Sequence, residues 1–490
     1  MLAELSSRIS PWFQYRLPIE IPEPPLSPPA AGLESAHRGS SAKRARGSDF
    51  GVLSAICPPQ LVDQVVAECG CGDQRRRLLP ARETVFGLLL MCLHPQLGYQ
   101  RLMNQLAQAM PLGEGWAVPN KSSFFRARLR VGKEVLEQLF RVLARPLAEP
   151  SAQGCWWRER RVMAIDGSTL VLADSPELEA LYGGPTTHGK RRVGSPQARM
   201  VALLECGTRA LVNATMGPYR SAETTLLRNL LPSIEPGMLI LGDRDFPRIE
   251  LWKQFLSRGA DLLWRANSRV ATHRLRNLGD GSYLAAFGLN HHGRPNKHSL
   301  VVRLIEYRLP ESETTYRLLT NLLDPVVAPA AELASLYAER WEIEIFYGQL
   351  KTAQCELGML RSQTIEGVEQ EFWAHCLLYQ ISRHVAYRAA MITPERDCDR
   401  IPCALLLDVL RRGAVWVRSG PRTGATLLRL ATYELVASRV LLRRRDRAAP
   451  RVSTPSRMRH RYPERESFDG PTTTARPRRP AVLLNTHVTA

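Results

Sequence analysis

The sequence predicts an α/β fold, preceded by a helical domain and interrupted by a β-rich stretch. Three patterns carry this reading. Aliphatic and β-branched runs that hold an aspartate or end at one recur between residues 155 and 246, as expected of sheet strands. Helical spacing of apolar residues marks 51–150 and the segment around 340, and apolar/polar alternation marks 247–335.

Residues 1–50 hold Pro22, Pro24, Pro25, Pro28 and Pro29, then Lys43-Arg-Ala-Arg46. They read as a disordered basic arm, because such a stretch offers little apolar surface to bury. From 51 to 150 prolines open successive helices, at Pro58-Pro59 and at Pro80. After the start signal Pro119-Asn-Lys-Ser122 comes a basic and aromatic helix carrying Phe124, Phe125, Arg126, Arg128 and Arg130. It reads either as a DNA-contacting helix or as one packed on the core with solvated arginines.

The first part of the core spans 155–246. Arg161-Val-Met-Ala-Ile-Asp166-Gly-Ser-Thr-Leu-Val-Leu is a strand with an acid in its middle, and Gly237-Met-Leu-Ile-Leu-Gly-Asp243 is a buried strand that delivers an acid to its end. Between them lie two more strands and a helix that begins near Ser221, the candidate cap. The stretch 247–335 alternates in strand fashion around Trp264, Tyr307 and Tyr316, with Gly279, Gly281 and Gly293 at turns. In 336–440 the core resumes with further helices. At about 100° per residue, Arg340, Glu344 and Lys351 share a stripe with Tyr337, which is either a chemical face or a solvated one. Residues 441–490 hold twelve Arg against four acids and read as a disordered tail.

The element order resembles an RNase H-like core. Tyr337, Arg340, Glu344 and Lys351 match the Tyr-x2-Arg-x3-Glu-x6-Lys signature of bacterial insertion-sequence transposases of the DDE class, the IS-four family. Asp166-Gly-Ser, Asp243-Arg-Asp-Phe246 and Leu360-Arg-Ser-Gln continue that resemblance over roughly 50–390. It implies a cut-and-paste DNA transposase with Asp166, Asp243 and Glu344 as catalytic, metal-holding acids. Two Mg²⁺ ions, for which Mn²⁺ can substitute, suit such oxygen donors. Asp245 and Glu342 are the weaker acid candidates. The resemblance also implies phosphate contacts from Tyr337, Arg340 and Lys351, and an amino-terminal domain that reads inverted-repeat ends through Arg126, Arg128 and Arg130. From the β-rich insertion, an aromatic would stack on a flipped base, with Tyr316 ahead of Trp264. Implied partners are transposon-end DNA, target DNA and a second copy of the chain. A nuclease on the same core and an inactive, DNA-binding copy remain the alternatives.

Composition agrees with a phosphate-binding partner: Lys and Arg number 66 against 47 acids, a net charge of +19. The longest apolar stretch, Thr84 to Leu93, is about half of what a membrane span needs. Together with the absence of a signal peptide, this predicts a bacterial cytoplasmic, nucleoid-associated protein with no membrane partner. The ten cysteines include no CxxC pair, so Cys69-Gly-Cys71 and the others read as free thiols, and His291-His292 reads as loop.

Overall fold

The computed structural model describes residues 50–74, 77–109, 118–187, 191–192, 194–308, 315–351, 358–392, 398–415, 424–438 and 482–483. The expected amino-terminal arm, apart from Phe50, which is buried against Phe86, and nearly all of the Arg-rich tail lie outside the described residues.

The amino-terminal region is helical: α1 (Val52–Ile56), α2 (Pro59–Glu68), α3 (Ala81–Leu93), α4 (Tyr99–Ala109), α5 (Lys121–Val131) and α6 (Glu134–Leu143). Local chemistry sets the starts. Pro59 occupies the first turn of α2, where its missing N–H costs nothing. Asn120 caps α5 by accepting from the Ser123 amide at 2.8 Å. Helix α6 buries Val135, Leu136, Leu139, Phe140 and Leu143, the i, i+3/i+4 face that its sequence displays.

In chain order, the main sheet is built from β1 (Arg160–Val171), β2 (Gln197–Glu205), β3 (Leu211–Pro218), β4 (Met238–Gly242), β5 (Asp261–Ala266), β6 (Thr272–Asn277), β7 (Tyr283–Phe287), β8 (Leu300–Arg308) and β9 (Thr315–Thr320). Helices α7 (Pro176–Tyr182), α8 (Glu223–Leu227) and α9 (Ile249–Leu256) lie between these strands in the chain. Then follow α10 (Ala330–Leu336), α11 (Trp341–Gln349), α12 (Ile365–Ile392), α13 (Cys403–Val415) and α14 (Gly424–Ala437).

Across the sheet the order is β3-β2-β1-β4-β5-β9-β8-β7-β6. The first five strands give the 3-2-1-4-5 order of an RNase H-like core, antiparallel through β3, β2 and β1 and parallel from β1 to β4 and β5. Strand β4 is buried at every residue, as a parallel strand covered on both faces must be. The interrupting stretch, expected as 247–335, stays in this sheet. Its first elements, α9 and β5, extend the parallel run, and β9, β8, β7 and β6 add antiparallel strands beyond it. One core cluster joins the two parts, with Met163, Ile165, Ile240, Trp252, Trp264, Val302 and Leu304 all buried. Helix α12, buried along most of its 28 residues, packs against α3, α6 and α14 and touches β3. Helix α8 has Ala222 at its N-cap with no side-chain cap bond, so the cap expected at Ser221 does not form.

Candidate active site

Register brings the two aspartates together. Ala164 on β1 is paired with Leu241 on β4 in a parallel ladder, so two residues further along Asp166 is level with Asp243. The approach is tight: a Cβ at Gly242 would lie 2.7 Å from the Trp264 indole, so the residue before Asp243 has to be glycine. Tyr337 fixes this strand end, its buried hydroxyl donating to the Gly242 carbonyl at 3.1 Å.

Residues Tyr337–Arg340 form a 3₁₀ turn that runs into α11, where a single α-helix was expected. Side chains three apart eclipse in a 3₁₀ turn, so Tyr337 and Arg340 still share a face. Arg340, 6% exposed, donates from Nη1 to Asp166 Oδ2 at 3.0 Å and from Nη2 to Glu344 Oε1 at 2.8 Å. Burial opposes its charge, but Tyr337, Asp166, Asp243 and Glu344 outweigh that and keep it protonated. Lys351 donates to Ser168 Oγ at 2.6 Å. Arg340, Glu344 and Lys351 of the stripe therefore lie over β1 around Asp166 and Ser168, while Tyr337 reaches the end of β4.

Burial pushes the Asp166 carboxyl up to about 7; Arg340 and the Gly167 amide act against this, and Asp243 and Glu223 add to it. Asp166, Asp243 and Glu344 offer only carboxylate oxygens, the donor type that hard divalent cations take. A cation between the aspartates would relieve the cost of burying their charge. The aspartates fit that role. Glu344 is paired with Arg340, and among the described residues no three Asp, Glu, His or Cys side chains form an ion-holding group.

Three neighbours escaped the sequence reading. Tyr347 donates its buried hydroxyl to the Asp166 carbonyl at 2.7 Å, and its place in Glu344-Ile-Phe-Tyr347, one turn past the acid, was the available signal. Ser168, the receiver of Lys351, stands in the Asp-Gly-Ser motif itself. Glu223, at the start of α8, packs its carboxylate on Gly167, where a Cβ would lie 2.3 Å from the carboxyl carbon, and pairs with Arg199 at 2.6 Å.

Several expected roles change. Arg128 is turned inward: it donates to Gln370 at 2.9 Å and to Ser362 at 3.0 Å, which leaves no face for a phosphate. Arg126 is exposed on α5, and half-buried Arg130 donates to the Leu79 carbonyl at 2.9 Å. Tyr337 is 5% exposed and spends its hydroxyl on Gly242, so it positions Asp243 and does not reach a phosphate. Trp264 is fully buried against Trp252, Phe255 and Phe246 and is a core residue. Half-buried Tyr316 stacks on Tyr307 at 5.2 Å, with the Arg265 guanidinium 4.5 Å from its ring centroid. Glu342 is buried in an ion pair with Arg209, and Asp245 is exposed in the turn after β4.

Residues 47–141 match the family described as insertion element 4 transposase N-terminal, and residues 157–381 match the transposase DDE domain. The chain belongs to the IS4 family of DDE transposases. It is 27% identical over 345 residues to the transposase InsG for insertion sequence element IS4 of Escherichia coli (strain K12), covering 69% of this chain and 77% of that protein. A putative transposase InsZ of the same organism is 33% identical over 144 residues, 29% of this chain and about half (48%) of its own length. Among solved structures, a cryo-EM piggyBac transposase synaptic complex with hairpin DNA is similar at a TM-score of 0.43 and 10% identity, covering 82% of this chain and 88% of that one. The protein is thus a DNA transposase with DNA cleavage and strand transfer activity, of a family that uses divalent metal ions. Among the described residues no helix is long and apolar enough to cross a membrane.

Proposed function

We propose that this IS4-family transposase excises its insertion sequence at terminal inverted repeats and joins it to target DNA, with Asp166, Asp243 and Glu344 as the catalytic acids. The observation that carries this reading is the meeting of Asp166, midway along β1, with Asp243, just past the end of the adjacent parallel strand β4, with Arg340 and Glu344 laid over Asp166. Asp166, Asp243 and Glu344 would together hold two Mg²⁺ ions, or Mn²⁺ in their place. When bound, such ions would supply the Lewis acidity that activates an attacking water or 3′-hydroxyl and steadies the leaving oxygen.

The protein's own groups position the DNA. Arg340 and Lys351 contact phosphates beside the cut, so that the scissile bond is held for in-line attack. Tyr337 and Tyr347 hold the backbone beside the aspartates, Tyr337 at the Gly242 carbonyl and Tyr347 at the Asp166 carbonyl. Tyr316 stacks on a base displaced near the cut, while Arg126 and Arg130 on α5 contact the element's end. Two copies of the chain pair two ends, in the cytoplasm of a bacterium and on its nucleoid.

Asp166→Asn, Asp243→Asn and Glu344→Gln each remove a ligand charge at nearly constant volume. Each should abolish Mg²⁺-dependent cleavage of inverted-repeat DNA and leave gel-shift binding in place. A variant that still cuts at the wild-type rate removes its residue from the set.

A further inference from the structure

Strand β6 ends the sheet order and, among the described residues, pairs only with β7, through a ladder whose register shifts between Leu284 and Ala285. Its residues from His273 to Asn277 are all exposed, on both faces of the strand. The loop 291–298, which leads from β7 to β8, is also exposed throughout. These segments are cationic. Between 267 and 299 the sequence has Arg269, Arg274, Arg276, Arg294 and Lys297 with four histidines, and a single acid, Asp280. That acid is spent: it pairs with buried Arg303 and accepts from the Ala330 amide at 2.9 Å. Arg274 lies over the Tyr283 ring at 3.8 Å. The remaining four cations make no ion pair among the described residues.

The loop entering this strand is fastened beside a catalytic aspartate. Asn267 Nδ2 donates to the carbonyl of Arg244, the residue after Asp243, at 3.0 Å, and Asn267 Oδ1 accepts from the Arg269 amide at 2.9 Å. A cationic track thus leads from exposed Arg244 through Arg269 to the open edge. Arg274 and Arg276 stand two residues apart on a strand of about 20 Å (six residues at ~3.3 Å each), a length over which one DNA strand presents several phosphates.

We propose that β6 and the 291–298 loop bind the sugar–phosphate backbone of duplex DNA beyond the cut, without reading its sequence. This rests on the transposase reading above, since that reading puts the scissile phosphate at Asp243. An edge strand also carries charge simply to avoid pairing with other sheets. One or two charges do that; a surface free of acids on strand and loop together is complementary to a polyanion.

The test uses the full-length protein and two duplexes, one ending at the cleavage point of the element's inverted repeat and one continuing past it. Affinity by fluorescence anisotropy across a salt series should fall more steeply for the longer duplex. In Arg276→Gln/Arg294→Gln/Lys297→Gln the slope of log K against log salt on the longer duplex should become shallower by about three, one for each lost phosphate contact, with little change on the shorter duplex. An unchanged slope on the longer duplex overturns the proposal, and an unchanged slope with increased light scattering overturns it in favour of an edge that only guards against aggregation. Mg²⁺-dependent nicking of the longer duplex, which alone carries the scissile phosphate, is scored separately with the wild-type protein: its absence sinks the transposase reading, and the slope comparison still decides the fate of the edge.

Discussion

Arg340 ties Asp166 to Glu344: one guanidinium donates to Asp166 Oδ2 at 3.0 Å and to Glu344 Oε1 at 2.8 Å. A single positive charge thus stands between two of the acids that a divalent cation would join. A cation held by Asp166 and Glu344 as proposed would compete with the arginine for the same oxygens, and a DNA phosphate would be a ready partner for Arg340 once displaced.

Arg340→Ala should therefore separate stability from activity. Removing one partner of a buried ion pair costs about 3–5 kcal/mol. The loss here falls below that range, because the Glu344 side chain is 37% exposed and Asp166 can take up a proton. Mg²⁺ should raise the melting temperature of Arg340→Ala more than that of the wild type, since a cation then replaces the lost charge. Cleavage should drop by about 10²-fold for want of the phosphate contact. Equal Mg²⁺ shifts in both proteins, measured by calorimetry, would show that Arg340 does not compete with the ion.

Gly167 is required by Glu223 and not by backbone conformation. A methyl group there meets the Glu223 carboxyl carbon at 2.3 Å, so Gly167→Ala should destabilise by about 1–3 kcal/mol in urea unfolding. Glu223→Ala added to Gly167→Ala should recover part of that loss, because the two changes share one contact. Additive losses in the double variant would place the strain elsewhere.

The two aspartates could be read from the sequence because an apolar run that holds an acid, as at Asp166, or stops at one, as at Asp243, is a local pattern. Which arginine of α5 faces inward could not: Arg128 is held by Gln370, 242 residues away, and helical periodicity alone does not separate it from Arg126. Trp264 and Tyr316 looked alike as strand aromatics. The difference arises from α9, whose Trp252 and Phe255 pack on Trp264, while Tyr316 lies across from Tyr307. The insertion's boundary was hidden for a similar reason, since β5 alternates like the strands that follow it yet pairs in parallel with β4. Tyr337 carried a signature letter, but only the 3₁₀ turn directs its hydroxyl to Gly242.

Two buried histidines make stability depend on pH. Burial holds His94 down at about 4, with Arg411 adding to the effect, and burial with Arg145 does the same for His384. Both imidazoles bind protons more weakly folded than unfolded. Their contribution is whole above the unfolded value of about 6.5 and is lost as pH falls toward 4, by about 3 kcal/mol for each. Urea midpoints should fall across that window, and His94→Gln/His384→Gln should flatten the fall. An equally steep fall in the double variant would assign it to other groups.

Tyr316 carries the most exposed claim about the reaction. Its ring stacks on Tyr307 and under Arg265, a flat cationic and aromatic surface on the strand next to β5. If the ring receives a displaced base, Tyr316→Ala forfeits about 1–3 kcal/mol of stacking. The first nick needs only the acids and their cations, so it should persist. Joining the strands across the cut needs the base kept out of the stack, at a cost of a few kcal/mol, so the hairpin product should be lost. Tyr316→Trp keeps a broad π-face and should keep the hairpin. End-labelled DNA on denaturing gels separates the two products. Parallel loss of nick and hairpin in Tyr316→Ala would instead reveal a folding defect, and Tyr316 would then be only the packing partner of Tyr307.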